Sequence, residues 1–227
     1  VFWDWTGLYQ KDADGNRTVA EDAAFKTALY DTMDLWYSHQ GVTVYLLTKL
    51  APGSTRTIGY AESGWPTYER CASEQIKKYW LSEAKWKLVN DLGVDPEDET
   101  RAWPVDPHHF DTLITSKTFA NGSDVDAVKN LYRSLSTKQL GGILELDFFS
   151  MPTPSVDDCT RLARCLNMCH RLKELDLAGV GLSEDGSVVL FSTLTPTALP
   201  ELGEMWIDAG VTVKRANNLN DRGIAAL

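Results

Sequence analysis

A leucine pattern with a period of about thirty residues constrains the fold of this 227-residue chain more than any other feature. The sequence LKELDL at 172–177 is typical of a short strand, and the leucines and glycine within 178–190 indicate a turn and a helix. The strand pattern also stands 29 residues before Leu175, around Leu146, and 30 residues after it, around Met205. One such unit cannot bury its own leucines, so the repeat predicts units stacked side by side.

The repeating segment, residues 138–227, resembles ribonuclease-inhibitor-type leucine-rich repeats, whose strand and helix units are close to this length. The resemblance implies a short β/α solenoid of about three units. Leu219, Gly223 and Leu227 repeat the helix pattern of 182–190 at an offset of 37, which predicts an insertion in the third unit. An array that ends at Leu227 would expose an apolar face, so we expect a truncated array that further repeats or another element cover.

A second constraint comes from residues 42–47, an almost unbroken apolar run of strand length. Such a run predicts a central strand buried on both faces of a parallel sheet. A loop follows, and proline in a first turn favours a helix that starts near Trp65. We expect this helix to reach about Asp91, with Lys77 facing water and Gly93 as its C-terminal stop.

Three segments, FWD at 2–4, VTVYLLT at 42–48 and YAESGWPTYE at 60–69, resemble the middle of a TIR (Toll/interleukin-1 receptor) domain. The resemblance covers roughly residues 1–90 and implies part of a flavodoxin-like parallel sheet over 1–93. In family members that cleave NAD, the catalytic glutamate stands four residues after the tryptophan, which corresponds to Glu69 here. Trp65 would lie beside it on one helical face. The implied chemistry is glycosidic cleavage through an oxocarbenium-like transition state.

The local pattern around Glu69 also has a structural interpretation. Trp65 fits an anchor in the core, and Glu69 fits an acid of a first helical turn that the helix dipole favours. Both interpretations stay open at this stage.

Residues 94–137 join the two halves. The sequence DPEDETRAWPVDP at 95–107 is acidic and rich in proline, as interdomain connectors are, and helices follow it. Trp103 is expected to dock this connector on a neighbouring element. His108 and His109 have no further ligands at a familiar metal-binding spacing, and buried cysteines are common on the helices of such repeats, so we assign no metal site.

Charge and cysteine content narrow the classes of partner and compartment. With 32 acidic against 22 basic residues the net charge is −10, which argues against nucleic acid and anionic membranes as partners. No apolar run reaches the roughly 18 residues of a membrane helix. Four cysteines do not make a disulfide framework in a chain of this size, so a reducing compartment, the cytoplasm by default, is favoured.

The sequence therefore predicts an α/β chain that binds another protein, as a scaffold module or an accessory subunit of a larger assembly, with self-association as a further option. The strand-face residues expected to point outward between the leucines are all acidic and suggest a partner with a basic surface: Glu145, Asp147, Glu174, Asp176 and Glu204. An acidic stripe fits a solvated face equally well. The alternative is a TIR-like hydrolase with Glu69 as its carboxylate, and only this alternative requires a cofactor, NAD.

Overall fold

The computed structural model describes residues 8–81, 86–95, 97–120, 122, 124–195 and 197–207. Two sequence predictions lie outside these residues: the TIR-like segment FWD at 2–4 and the helix pattern at 219–227. The described residues are a mixture of helices and small sheets, most of them parallel, so the α/β class is confirmed.

The helices in chain order are α1 (Val19–Thr27), α2 (Met33–Ser38), α3 (Gly64–Glu74), α4 (Pro107–Thr115), α5 (Asp124–Gly142), α6 (Val156–Leu166) and α7 (Glu184–Thr193), with a π-helical turn at Ala28–Thr32. The strands are β1 (Val44–Leu46), β2 (Trp80–Leu81), β3 (Trp86–Lys87), β4 (Val89–Asp91), β5 (Glu145–Asp147), β6 (Glu174–Asp176) and β7 (Glu204–Trp206). Within the described ranges, no helix combines the length and apolar content that crossing a bilayer requires.

Strands β5, β6 and β7 form a parallel sheet in the order of the chain. The register pairs Leu146 with Leu175 and Leu175 with Met205, which is the alignment that the thirty-residue period predicts. Because side chains alternate between the faces of a strand, this register places the leucine row on one face. Leu146 and Leu175 are fully buried on that face, in one cluster with residues of α6 and α7.

The first two units also share their turn after the strand. The Asp147 carboxylate accepts the N–H of Phe149 at 3.0 Å, and the Asp176 carboxylate accepts the N–H of Ala178 at 2.8 Å. Each is a local side-chain turn of the kind that aspartate forms readily. The two units therefore agree in backbone conformation as well as in their leucines.

The connector segment is packed into the molecule from residue 101 onward. The indole N–H of Trp103 donates to the Pro152 carbonyl at 3.0 Å, and its ring centroid lies 5.4 Å from that of Phe148. Arg101 is buried as well, and its guanidinium donates to the Glu74 carbonyl at 2.8 Å. Trp103 thus packs against the first repeat unit, as expected of a docked tryptophan.

A second core lies among α3, α4 and α5 and is built from aromatic rings. The Phe110 and Tyr132 rings stack with centroids 3.8 Å apart, and Tyr68 meets both edge-on. The Tyr132 hydroxyl, which is buried, donates to the Val105 carbonyl at 2.7 Å. This cluster fixes α3, which carries Trp65 and Glu69.

The prediction of a doubly buried central strand at 42–47 is wrong. Strand β1 has three residues, and among the described strands its one partner is β4, which runs parallel to it. Val44 and Leu46 are buried, whereas Tyr45 between them is 54% exposed. The strand therefore covers a core on one face only, and an aromatic residue interrupts its apolar run on the other.

The prediction of one helix from Trp65 to Asp91 is also wrong, since α3 ends at Glu74. The physical reason is a long-range contact: the Arg101 guanidinium donates hydrogen bonds to the carbonyls of Glu74 and Lys77. In a longer helix these carbonyls would accept hydrogen bonds from backbone N–H groups of the helix itself. Residues after Lys77 turn into short strands instead.

Two residues assigned to that helix take different roles from those expected. Lys77 is fully buried, not solvent-facing, and donates to the His39 carbonyl. Gly93 is not a helix stop: a Cβ there would lie 1.9 Å from the Thr48 hydroxyl and 2.6 Å from the Lys49 nitrogen. It permits a close approach of two backbones.

Burial of Lys77 predicts a specific pH dependence of stability. Burial, followed by the charge of Arg101, lowers the pKa of Lys77 from 10.5 to about 7. Between these values the unfolded chain binds more protons, so the Lys77 contribution to the free energy of unfolding rises with pH, by at most about 1.4 kcal/mol per pH unit. We expect Lys77→Met to be more stable than wild type at pH 6 and to lose this advantage towards pH 10.

Urea unfolding across that pH range measures the difference between the two curves. The exposed Lys49 provides a matched control, because Lys49→Met should shift stability by the same small amount at every pH. Parallel curves for wild type and Lys77→Met would contradict the buried position.

The leucine row makes a second prediction about stability. Leu175 is fully buried between the two neighbouring units, so Leu175→Ala should cost about 2–5 kcal/mol. Leu144 precedes the same sheet but is 44% exposed, and Leu144→Ala should cost at most about 0.5 kcal/mol. Chemical denaturation distinguishes the two, and equal costs would rule out the buried row.

Candidate binding surface on the repeat sheet

The face of the β5–β7 sheet opposite the leucines carries two rows of side chains. The first residues of the three strands lie in register across the sheet, and so do the third residues. The two rows are Glu145, Glu174 and Glu204, and Asp147, Asp176 and Trp206. Neighbouring members of a row are about 4.8 Å apart, the spacing between strands. The repeat thus gathers all five acidic residues singled out in the sequence on one face.

A groove of about 270 Å³ runs along this face. Its lining residues are Glu145, Leu146, Asp147, Phe149, Glu174, Asp176, Ala178 and Trp206. Four of the five predicted residues therefore line the groove, while Glu204 stands beside Glu174 in the ladder but outside the lining. Two exposed aromatic side chains, Phe149 (39% exposed) and Trp206 (43%), add apolar walls to the carboxylates.

Lys78 contacts two carboxylates that line one side of the groove. Its ammonium donates to the Glu145 carboxylate and lies 3.4 Å from an oxygen of Asp147. Partial burial lowers the pKa of Lys78, but the bond to Glu145 and the charge of Asp147 outweigh it, so the pKa is raised overall. The β5 carboxylates are therefore neutralised in part from within the chain.

Asp176 is the half-buried carboxylate at the middle of the sheet. Burial, together with the negative charges of Asp147 and Glu145, raises the pKa of Asp176. One of its oxygens accepts the Ala178 N–H, which leaves the other oxygen for a further donor. A cation brought against this oxygen would offset the repulsion from the neighbouring acids.

Sequence reasoning missed the aromatic walls and the lysine. Phe149 and Ala178 stand two residues after Asp147 and Asp176, and Trp206 takes the place of those aspartates in the third unit. Aligning the three units by their leucines is sufficient to find these three. Lys78 is 67 residues away from Glu145 along the chain, and no local pattern indicates that contact.

Trp65 and Glu69 lie on α3, away from this sheet. The Trp65 indole donates to Asp124 at 3.0 Å and meets the Tyr68 ring edge-on at 6.1 Å, so it is held as a packed side chain. The charge of Glu69 contributes, after burial, to the raised pKa of Tyr60.

Neither the groove nor a second cavity, of about 10 Å³, is lined by Trp65 or Glu69. The second cavity has room for about one water molecule, far less than a ribose. The catalytic role of Glu69 stays a prediction, which incubation with NAD beside a Glu69→Ala variant would test.

Asp106, His108 and His109 bring potential metal-ligating atoms within 4.8 Å of one another at the start of α4. One Asp106 oxygen caps the helix by accepting the N–H groups of His108 and His109, and the other lies 2.5 Å from the His109 ring nitrogen. The Arg164 guanidinium approaches the His108 ring at 3.3 Å, so a cation already stands beside both imidazoles. The arrangement is explained as a helix cap.

The cysteines that the sequence places along α6 and just after it are all buried thiols. Burial raises the pKa of Cys169 to about 12 and that of Cys159 to about 11, and it raises the pKa of Cys165 well above its usual value. These thiols are therefore protonated at neutral pH and pack as small apolar groups.

Comparison with known proteins gives no match for this chain, neither among protein-family models nor among curated proteins or solved structures. The TIR and leucine-rich-repeat resemblances therefore stay predictions.

The position of Lys78 predicts a change in the titration of Asp176. The ammonium charge of Lys78 lowers the pKa of Asp176 and so opposes the upward shift caused by burial. We expect Lys78→Met to raise the pKa of Asp176 further, as measured by NMR titration of its carboxyl carbon. Lys49→Met removes an equal charge elsewhere and should leave the titration unchanged; an unaltered Asp176 curve in Lys78→Met would refute the contact.

Proposed function

We propose that this chain is a protein-binding module of the leucine-rich-repeat type, a scaffold or accessory subunit that holds a basic segment of another protein in the β5–β7 groove. The observation that carries the proposal is a 270 Å³ groove in which four carboxylates are combined with two exposed aromatic side chains. Aromatic side chains at the wall of a concave site are frequent anchors of protein contacts.

Charge complementarity defines the partner. Glu174 and Asp176 lie at the centre of the sheet, whereas Lys78 reaches the Glu145 and Asp147 side. Carboxylates without an ion-pair partner among the described residues favour lysine and arginine on a partner and speed its encounter with the groove. The small volume suits an extended segment or a loop better than a flat folded surface.

The composition of the walls also distinguishes the proposal from a merely solvated acidic face. A solvated stripe needs charged side chains alone, whereas Phe149 and Trp206 expose apolar area at the same groove. Exposed apolar rings beside carboxylates are typical of a surface that another molecule covers. This combination is the reason to favour binding.

The test uses blocked nine-residue peptides in which leucine alternates with basic residues, titrated into the isotopically labelled chain and followed by NMR. We expect shifts at 145–149, 174–178 and 204–206, weaker binding at higher salt, and no binding of the glutamate version of the peptide. The double variant Glu174→Gln/Asp176→Asn should lose roughly tenfold or more in affinity, equivalent to about 1.4 kcal/mol.

Glu62→Gln/Glu97→Gln is the matched control, because it removes two exposed acidic charges outside the groove. Its affinity should stay within about twofold of wild type, since only long-range attraction changes. Equal losses in both double variants would reduce the interaction to non-specific charge attraction and overturn the proposal.

A further inference from the structure

We propose that the groove is selective for arginine: the guanidinium of the bound segment stacks on the Trp206 indole and donates to the Asp176 carboxylate. This inference rests on the proposed function and names the side chain that the same groove recognises. It assigns to Trp206 a role that the acidic residues alone cannot provide.

The sheet register makes the two groups neighbours. Asp176 and Trp206 are directly paired in the parallel ladder between β6 and β7, and both line the groove. The regular spacing between strands sets their backbones about 4.8 Å apart. An incoming planar cation can therefore lie against the ring with its edge towards the carboxylate.

The third unit creates this pair by departing from the repeat. The corresponding positions on β5 and β6 are Asp147 and Asp176, two carboxylates side by side, whereas β7 has tryptophan. A carboxylate beside an exposed indole offers one hydrogen-bonding partner and one π face. Among the three described strands, the combination is found between β6 and β7 only.

Lys78 explains why the incoming cation belongs to this edge. It already lies between Glu145 and Asp147, so the β5 side of the groove holds a cation of its own. Next to β7, Asp176 has one oxygen bound to the Ala178 N–H, which leaves its other oxygen for an incoming donor. Glu174, two residues earlier on the same face, adds a second carboxylate within reach of a long side chain.

Arginine fits this pair better than lysine for three physical reasons. Its guanidinium is planar and stacks on an aromatic face, it presents donors in a fork that matches a carboxylate, and it is less strongly hydrated than an ammonium. Stacking of a cation on tryptophan is favourable even at exposed sites. Lysine gains the charge attraction but little of the stacking.

The experiment compares three blocked nine-residue peptides that are rich in lysine and leucine and differ only in the central residue, which is arginine, lysine or norleucine. We expect the arginine peptide to bind roughly fivefold more tightly than the lysine peptide, the factor that about 1 kcal/mol corresponds to. It should also produce the largest shift of the Trp206 indole N–H signal. Equal affinities for arginine and lysine would overturn the inference.

Substitutions then locate the selectivity. Trp206→Leu should lower the affinity for the arginine peptide to that for the lysine peptide, whereas Trp206→Phe, which keeps an aromatic face, should retain part of the preference. Trp36→Leu is the matched control at an exposed tryptophan on α2 and should leave the preference intact. Asp176→Asn keeps an oxygen for the Ala178 N–H and should weaken the arginine peptide more than the norleucine peptide.

The outcomes separate the two proposals. If none of the three peptides binds, the proposed protein-binding function fails. If all basic peptides bind alike and Trp206→Leu weakens none of them, the groove binds cations in general and only the arginine assignment fails. A preference that survives in Trp206→Leu, with a thermal unfolding midpoint close to wild type, would place the selectivity elsewhere.

Discussion

Burial of one leucine row between neighbouring units is the constraint on which the candidate site depends. Leu146, Leu175 and Met205 stand side by side in register; the two leucines are fully buried, and the half-buried Met205 packs against the same cluster. Apolar side chains on one face require the alternate residues to project from the other. The acidic rows therefore owe their alignment to the leucines, and a slip of one residue would bury carboxylates.

Residues that precede the repeats in the chain also contribute to this surface. The Arg101 guanidinium donates to the carbonyls of Glu74 and Lys77, at and just after the end of α3. The helix stops there, and the chain that follows changes direction. The chain after α3 places Lys78 against the Glu145 carboxylate. Trp103, two residues after Arg101, packs against the first unit. A buried arginine is costly to desolvate, and here its hydrogen bonds join parts of the chain that are far apart in sequence.

The parts of the fold that follow from a repeated or local pattern could be predicted from the sequence. The period predicted the register of β5, β6 and β7 and the common face of their acidic residues. The continuation of α3 to Asp91 was wrong because a side chain 27 residues away from Glu74 ends the helix. The acidic residues of the groove follow the repeat and could therefore be predicted. The contact of Lys78 with Glu145 joins residues that are 67 positions apart, and no local pattern indicates it.

The turn after β5 shows how far backbone equivalence extends. Ser150 adopts a left-handed conformation with φ 56°, and Gly179, 29 residues later, adopts the same conformation with φ 71°. A residue with a side chain is disfavoured in that conformation by about 1 kcal/mol, so the first unit keeps the shape of the turn without the residue best suited to it. Conformation is thus conserved between units where residue identity is not, and the number of units in such an array is better counted from its turns than from its glycines.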